Sequence, residues 1–262
     1  MRSLIASILV FAALMLSCGD SATEITGTLP VVTGITVDSV SSKGDTIVVI
    51  WNELTGTQIE GYFVWFKVRI EDPWMLLNTV NDAVAIHIAD RSAFYTVMGY
   101  DGTNTSSDIG LSDNTRAENL SEMKQPASVR PMGFRIDTEG DSIVSGDPSS
   151  PDFHQQFTIK FDELSGERFI FPGASHPELW PGGVKTMVSS IGGFVAPALD
   201  DSISWQDSIF YGGDFFLALE NGYFCRLDGL ITVPDTSSLS DTLVISGQLQ
   251  PMTNVRVFNQ TW

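Results

Sequence analysis

Cysteine, histidine and basic side chains are scarce in this sequence, and each scarcity closes off a class of chemistry. The two cysteines, Cys18 and Cys225, stand far apart in a chain of 262 residues. No C-x-x-C and no H-E-x-x-H occurs, so these zinc and thiol-redox signatures are missing. The three histidines, His87, His154 and His176, lack any metal-ligand spacing. Lys and Arg number 14 against 32 Asp and Glu, a formal charge of −18. Such a surface repels phosphate backbones and anionic headgroups, which argues against a nucleic-acid partner. No G-x-S-x-G, P-loop or Ser-His-Asp signature is visible. Helical periodicity is nearly absent. Long apolar runs are absent too: Leu4 to Leu16 falls short of the roughly 20 residues that a membrane-spanning helix needs.

That short run is informative. One basic residue, Arg2, precedes it and a small residue, Ser17, follows it, the layout of a secretory signal. The stretch "LMLSC" resembles the lipobox of bacterial lipoproteins, in which the cysteine becomes the first residue of the mature chain and carries lipid. The resemblance implies a signal peptide over 1–17, lipidation at Cys18 and a polar tether over 18–28. It further implies an exported protein on a bacterial membrane, facing the periplasm or the cell surface and touching that membrane only through its anchor. An ordinary signal peptide with an incidental cysteine is the alternative. With Cys18 lipidated, Cys225 has no disulfide partner, and its place in the strand-like "GYFCRL" predicts a small buried hydrophobe.

Runs rich in Val, Ile, Thr, Phe and Tyr recur every eight to twelve residues, split by Gly, Asp, Asn, Ser and Pro. That rhythm predicts an all-β chain of sandwich type. Period-two alternation puts Ile47, Val49 and Trp51 of "TIVVIW" on one face, then Tyr62, Val64 and Phe66 of "IEGYFVWFKV", then Tyr95, Val97 and Gly99 of "AFYTVMGYD". These three runs resemble strands B, C and F of a fibronectin type III domain. The matching positions are Trp51, then Gly61, Tyr62 and Val64, then Tyr95, Val97, Gly99 and Asp101. "LPVVTGITVDSV" resembles the first strand of that family and "TSSDIGLS" the last. The resemblance implies a sandwich of seven strands over 29–112, a spacer or binding module of an exported protein, and not catalysis.

Residues 113–131, "DNTRAENLSEMKQPASVRP", read as a linker with one or two helical turns at Glu118–Lys124. A second β-sandwich-like domain of no recognised family fills 132–262. Its clearest features are an Asn221-Gly222 type I′ hairpin signal and a second hairpin candidate, "FTIKFDELSGERFIF".

Candidate sites follow from residue chemistry. Alternation turns Phe63 and Trp65 outward, with Trp74 just beyond them. A bare Phe-Trp pair signals a covered surface: the second domain, or an external protein or polysaccharide. Trp180, in "HPELWPGG", is the fourth aromatic candidate. Calcium takes six to eight oxygen ligands, and Asp137, Glu139, Asp141 and Asp147 in "DTEGDSIVSGD" are candidate donors. Asp101, Asn104 and Asp108 form a weaker set. Turn chemistry by itself also places such residues there, and no other cofactor is expected. The leading expectation is a lipid-anchored envelope or surface protein with a non-enzymatic binding or scaffolding role. The alternative is a carbohydrate-active or other hydrolytic enzyme with its site in the second domain. A pocket of converging carboxylates or histidines would mark the enzyme, and a flat face bearing aromatics the binding protein.

Overall fold

The computed structural model describes residues 29–55, 58–106, 113–232 and 241–260, so Cys18 and the tether lie outside the described residues. The described chain is all-β, with no helix among the described residues. Seven strands make the first unit. Strands β1 (Thr36–Val37), β2 (Thr46–Ile50) and β5 (Val84–Ile88) form one sheet in the order β1-β2-β5. Strands β3 (Gly61–Lys67), β4 (Met75–Val80), β6 (Phe94–Tyr100) and β7 (Asp113–Asn114) form the other in the order β4-β3-β6-β7.

This is the sandwich that the family resemblance implies. Ile47, Val49, Trp51, Tyr62, Val64, Tyr95 and Val97 are all buried between the sheets. The Trp51 and Tyr62 rings meet edge to face at 5.3 Å, and the Tyr62 hydroxyl accepts the Leu54 N–H at 3.0 Å. The unit runs slightly past residue 112. Strand β7 pairs with β6, and one Asp113 carboxylate oxygen accepts both the Val37 N–H and the Thr36 hydroxyl.

The linker expectation needs correction. Glu118–Pro126 is a nine-residue strand, β8, inside the sheet of the second unit. Its pairing to β17 (Thr242–Gln250) shifts register between Ile245 and Gly247, where Leu120 and Met123 face them as partners. The bulge lies on β8, so Leu120 and Met123, three residues apart, both reach the core. That spacing of three is also what a helix face shows, so the sequence reads helical where the backbone is extended.

The second unit adds β9 (Met132–Asp137), β10 (Ser142–Gly146), β11 (Phe157–Asp162), β12 (Glu167–Pro172), β13 (Met187–Ser189), β14 (Ile209–Phe210), β15 (Gly213–Ala218) and β16 (Phe224–Thr232). All ten strands belong to one sheet, ordered β13-β15-β16-β17-β8-β10-β9-β11-β12-β14. Only the β8–β10 pair is parallel. A bridge between Val188 and Gln206 links β13 to the segment that leads into β14, so the two edges meet and the sheet rolls up. Its inner face is a single core: Phe134, Ile136, Phe157, Ile159 and Ile170 from one half meet Phe215, Leu217, Leu227, Leu243 and Ile245 from the other. Cys225 is fully buried in this core, where burial pushes its thiol well above the usual range. The Asn221-Gly222 turn is one residue longer than a type I′ loop. Only Gly222 has positive φ, and Leu219 N–H reaches the Tyr223 carbonyl around a three-residue loop.

The end of the chain returns to the first unit. Val255 and Val257 enter the core of the first sandwich, while Phe258 packs with Phe216 and Phe224 on the outer face of the second unit's sheet. Backbone hydrogen bonds join Gly44 N–H to the Asn254 carbonyl, Arg256 N–H to the Gly44 carbonyl and Ser92 N–H to the Phe258 carbonyl. Asn259 completes the clasp. Its side-chain oxygen accepts the Ser92 hydroxyl and the Ala117 N–H, and its amide nitrogen donates to the Ala117 carbonyl at 2.6 Å.

Replacing Asn259 by Ala strands three buried polar groups, each worth about 1–3 kcal/mol when unsatisfied. Asn259→Ala is expected to lower the stability of both units together in denaturant melts. A loss confined to one unit would show that the clasp does not couple them.

Candidate functional site

Alternation along β11 and β12 turns Ile159 and Ile170 into the core and sends Lys160, Phe169 and Phe171 out. The outer face of this half therefore carries rings. Phe169 lies 4.7 Å from Phe210 of β14, and Phe210 is 62% exposed. Phe171 packs edge-on against His176 at 5.4 Å and Trp180 at 5.7 Å. A groove of about 610 Å³ opens beside these rings, lined by Lys160, Phe161, Asp162, Glu163, Phe169 and Phe171. The hairpin turn that follows β11 puts Asp162 and Glu163 at the rim, with Gly166 at φ 75° closing the loop.

Trp180 is not part of the open face. It is buried, and meets His176 edge to face at 4.8 Å behind Phe171. Its loop is held down where Gly173 and Gly183 touch backbone to backbone, a contact that any Cβ on Gly183 would block. Trp180 thus fixes the groove wall.

The aromatics of the first unit are placed differently. Phe63 stacks on Tyr100 at 4.5 Å, within its own sheet. Trp65 is half-buried opposite Thr96 and Leu76, beside a bulge in the β3–β4 pairing. Trp74 covers the Lys67 ammonium at 4.7 Å, and that ammonium donates to the Ile70 carbonyl. The junction between units is built elsewhere, at the Gly44 and Ser92 loops, so Phe63 and Trp65 are not what the clasp covers.

The candidate calcium residues do not converge. Asp137 and Asp141 flank the β9–β10 turn with Glu139 between them, whereas Asp147 follows the far end of β10. Two of the four carboxylates serve local turns. Asp137 accepts the N–H groups of Glu139 and Gly140, and Asp147 accepts the backbone and hydroxyl of Ser149. The hydrogen bonds from Ser149 hold the Asp147 carboxyl below the usual range. Asp101 likewise caps Thr103 and Asn104, and Asp108 lies outside the described residues. Among the described residues no group of three or more His, Cys, Asp or Glu is arranged to hold a metal. His87 sits between the sheets with its Nδ1 at 2.8 Å from the Tyr95 hydroxyl, and burial lowers its basicity.

Sequence reasoning missed a second cluster. On the outer face of the other half, Asp214 of β15 lies directly opposite Asp228 of β16. Arg226, buried and two residues away, forms an ion pair with Asp214 and lies 4.9 Å from the centre of the Phe194 ring. These three line a cavity of about 330 Å³ with Asn119, Ser246 and Gln248. Burial and the Asp214 charge raise the Asp228 carboxyl above the usual range, against the pull of Arg226. The signal was present as polar residues at alternate strand positions, but the strand pairing had to be known to bring them together.

No family model matches the chain, and no curated protein matches it either. Among solved structures, titin kinase with its flanking domains is similar over 85% of this chain and 38% of that one, at 10% identity and TM-score 0.32. The twitchin kinase region from C. elegans is similar over 83% and 40%, at 11% identity and TM-score 0.28. A cycloalternan-degrading enzyme from Trueperella pyogenes follows over 84% and 31%, at 12% identity and TM-score 0.21. The chain spans less than half the length of each. Likenesses this slight carry no argument about activity, and the fold description rests on the strand pairing itself.

Trp180→Ala empties a buried site that supports Phe171. It is expected to cost about 3–5 kcal/mol, and Phe210→Ser, at an exposed position, less than about 0.5 kcal/mol. Thermal and denaturant melts of the two variants check the contrast. Equal losses would mean that Trp180 does not carry the groove wall.

Proposed function

We propose that the chain is an exported, lipid-anchored binding protein without catalytic activity, and that its partner is a polysaccharide. The observation that carries this reading is the row of Phe171, Phe169 and Phe210 on an open sheet face, edged by Lys160, Asp162 and Glu163. Ring faces bind the apolar faces of sugar rings, and a rim holding both donors and acceptors suits hydroxyl groups. The formal charge of −18 disfavours anionic polymers, so the partner is a neutral glycan. In this reading Cys18 holds the protein on the membrane, the first sandwich acts as spacer, and the second unit presents the groove.

Two measurements test the reading. Mass spectrometry of the purified wild-type protein should show Cys18 as the acylated N-terminal residue, and a Cys18→Ser chain should keep residues 1–17 and carry no acyl mass; an unmodified Cys18, or an N-terminus elsewhere, would remove the anchor. Affinity electrophoresis against a panel of neutral glucans should retard the wild-type protein. Phe169→Ser combined with Phe210→Ser should abolish retardation while leaving the melting temperature nearly unchanged. Capture of a protein through the same face, without retardation by any glycan, would replace the polysaccharide by a protein partner. Release of sugar from a glucan would favour the hydrolase alternative.

A further inference from the structure

Carboxylates seldom face each other across a β-ladder. Asp214 and Asp228 are direct cross-strand partners, a placement that is destabilising for like charges. Asp214 is compensated by Arg226. Asp228 is half-buried, and no hydrogen bond reaches its carboxylate among the described residues. A half-buried carboxylate without a donor costs free energy unless something supplies one. The residue opens onto a cavity large enough for a sugar-sized molecule.

The walls narrow the chemistry of what enters. Two carboxylates against one guanidinium leave the cavity with net negative charge, so a cation is favoured. Arg226 is held by Asp214 and sits beside Phe194, so an acidic ligand finds no uncommitted cation there. Asn119, Ser246 and Gln248 add neutral hydrogen-bonding groups. The Gln248 carbonyl accepts the Asn259 N–H, which keeps its NH₂ group as a donor. The β8 bulge lies just beyond Asn119 and Leu120 at the cavity edge, a place where sheets commonly open at sites.

We propose that this cavity is a binding site for a small polyhydroxylated ligand bearing a primary ammonium group, an amino sugar in chemical class. The ammonium group seats on Asp228, and Ser246, Gln248 and Asn119 meet hydroxyl groups. The site lies on β8, β15, β16 and β17, apart from the aromatic groove on β11, β12 and β14, and stands independently of the polysaccharide reading.

Glucosamine and glucose are matched probes, because they differ only in the ammonium group. Titration of the full chain, followed by amide chemical shifts at neutral pH, should show glucosamine binding at least about tenfold more tightly than glucose, with shifts centred on Arg226, Asp228 and Gln248. Asp228→Asn should reduce the two sugars to near parity. A carboxyl-carbon titration of the wild-type protein needs no variant: saturating glucosamine should lower the Asp228 pKa from its free-protein value. Equal affinity for the two sugars would replace ammonium recognition by hydroxyl recognition and overturn the proposal. Absence of glucosamine binding, or an Asp228 pKa that ignores it, would overturn it as well.

Discussion

The segment from Asn254 to Gln260 lies between two hydrophobic cores, and a chain in that position must satisfy both sides at once. Alternation supplies the means. Val255 and Val257 enter the first sandwich, and Phe258 turns to the second unit. The backbone between them binds the Gly44 and Ser92 loops, so its polar groups do not go unpaired on burial. Asn259 then ties three buried groups from both units into one network. Each core is complete only with this segment in place.

The clasp also decides which surfaces remain open. A sheet of ten strands has two faces, and rolling it up assigns one of them to a single core. The outer face of the β13–β8 half is covered at one end by Phe258 against Phe216 and Phe224. Past the cover, on the same strands, the side chains turn polar: Arg226, Asp214 and Asp228. Among the described residues the outer face of the other half has no such cover over Phe169 and Phe210, and the groove lies there. Both candidate surfaces are thus what a rolled sheet leaves exposed after one clasp.

The acidity of the chain has a local use as well as a global one. Asp38, Asp101, Asp137, Asp147, Asp162 and Asp201 each accept backbone N–H groups within their own turns. In a chain of short strands the turns are numerous, and Asp at the start of a turn replaces a missing backbone acceptor. This employment takes up Asp137 and Asp147, two of the four carboxylates that looked like a calcium loop. Asp214 and Asp228 face each other across paired strands instead, and nothing about their sequence spacing announces it.

Local alternation and turn chemistry determined the all-β class, the strands of the first sandwich and the burial of Trp51, Tyr62, Tyr95 and Cys225. Each of these depends on a pattern that repeats within a few residues. Leu120 and Met123 deceived the same reasoning, because a bulge inserts one residue and turns a period of two into a spacing of three. Other features depend on partners distant in sequence. The rolling of the sheet rests on Val188 meeting Gln206, the clasp on Val255 meeting Gly44, and the polar cavity on Asp228 meeting Asp214 on one side and Ser246 on the other. Trp180 reads as a loop residue in either view, yet only the Gly173–Gly183 contact and the ring of Phe171 send it inward. Register between remote strands is set by the sum of many weak side-chain contacts, so only the tertiary structure decided which faces became sites.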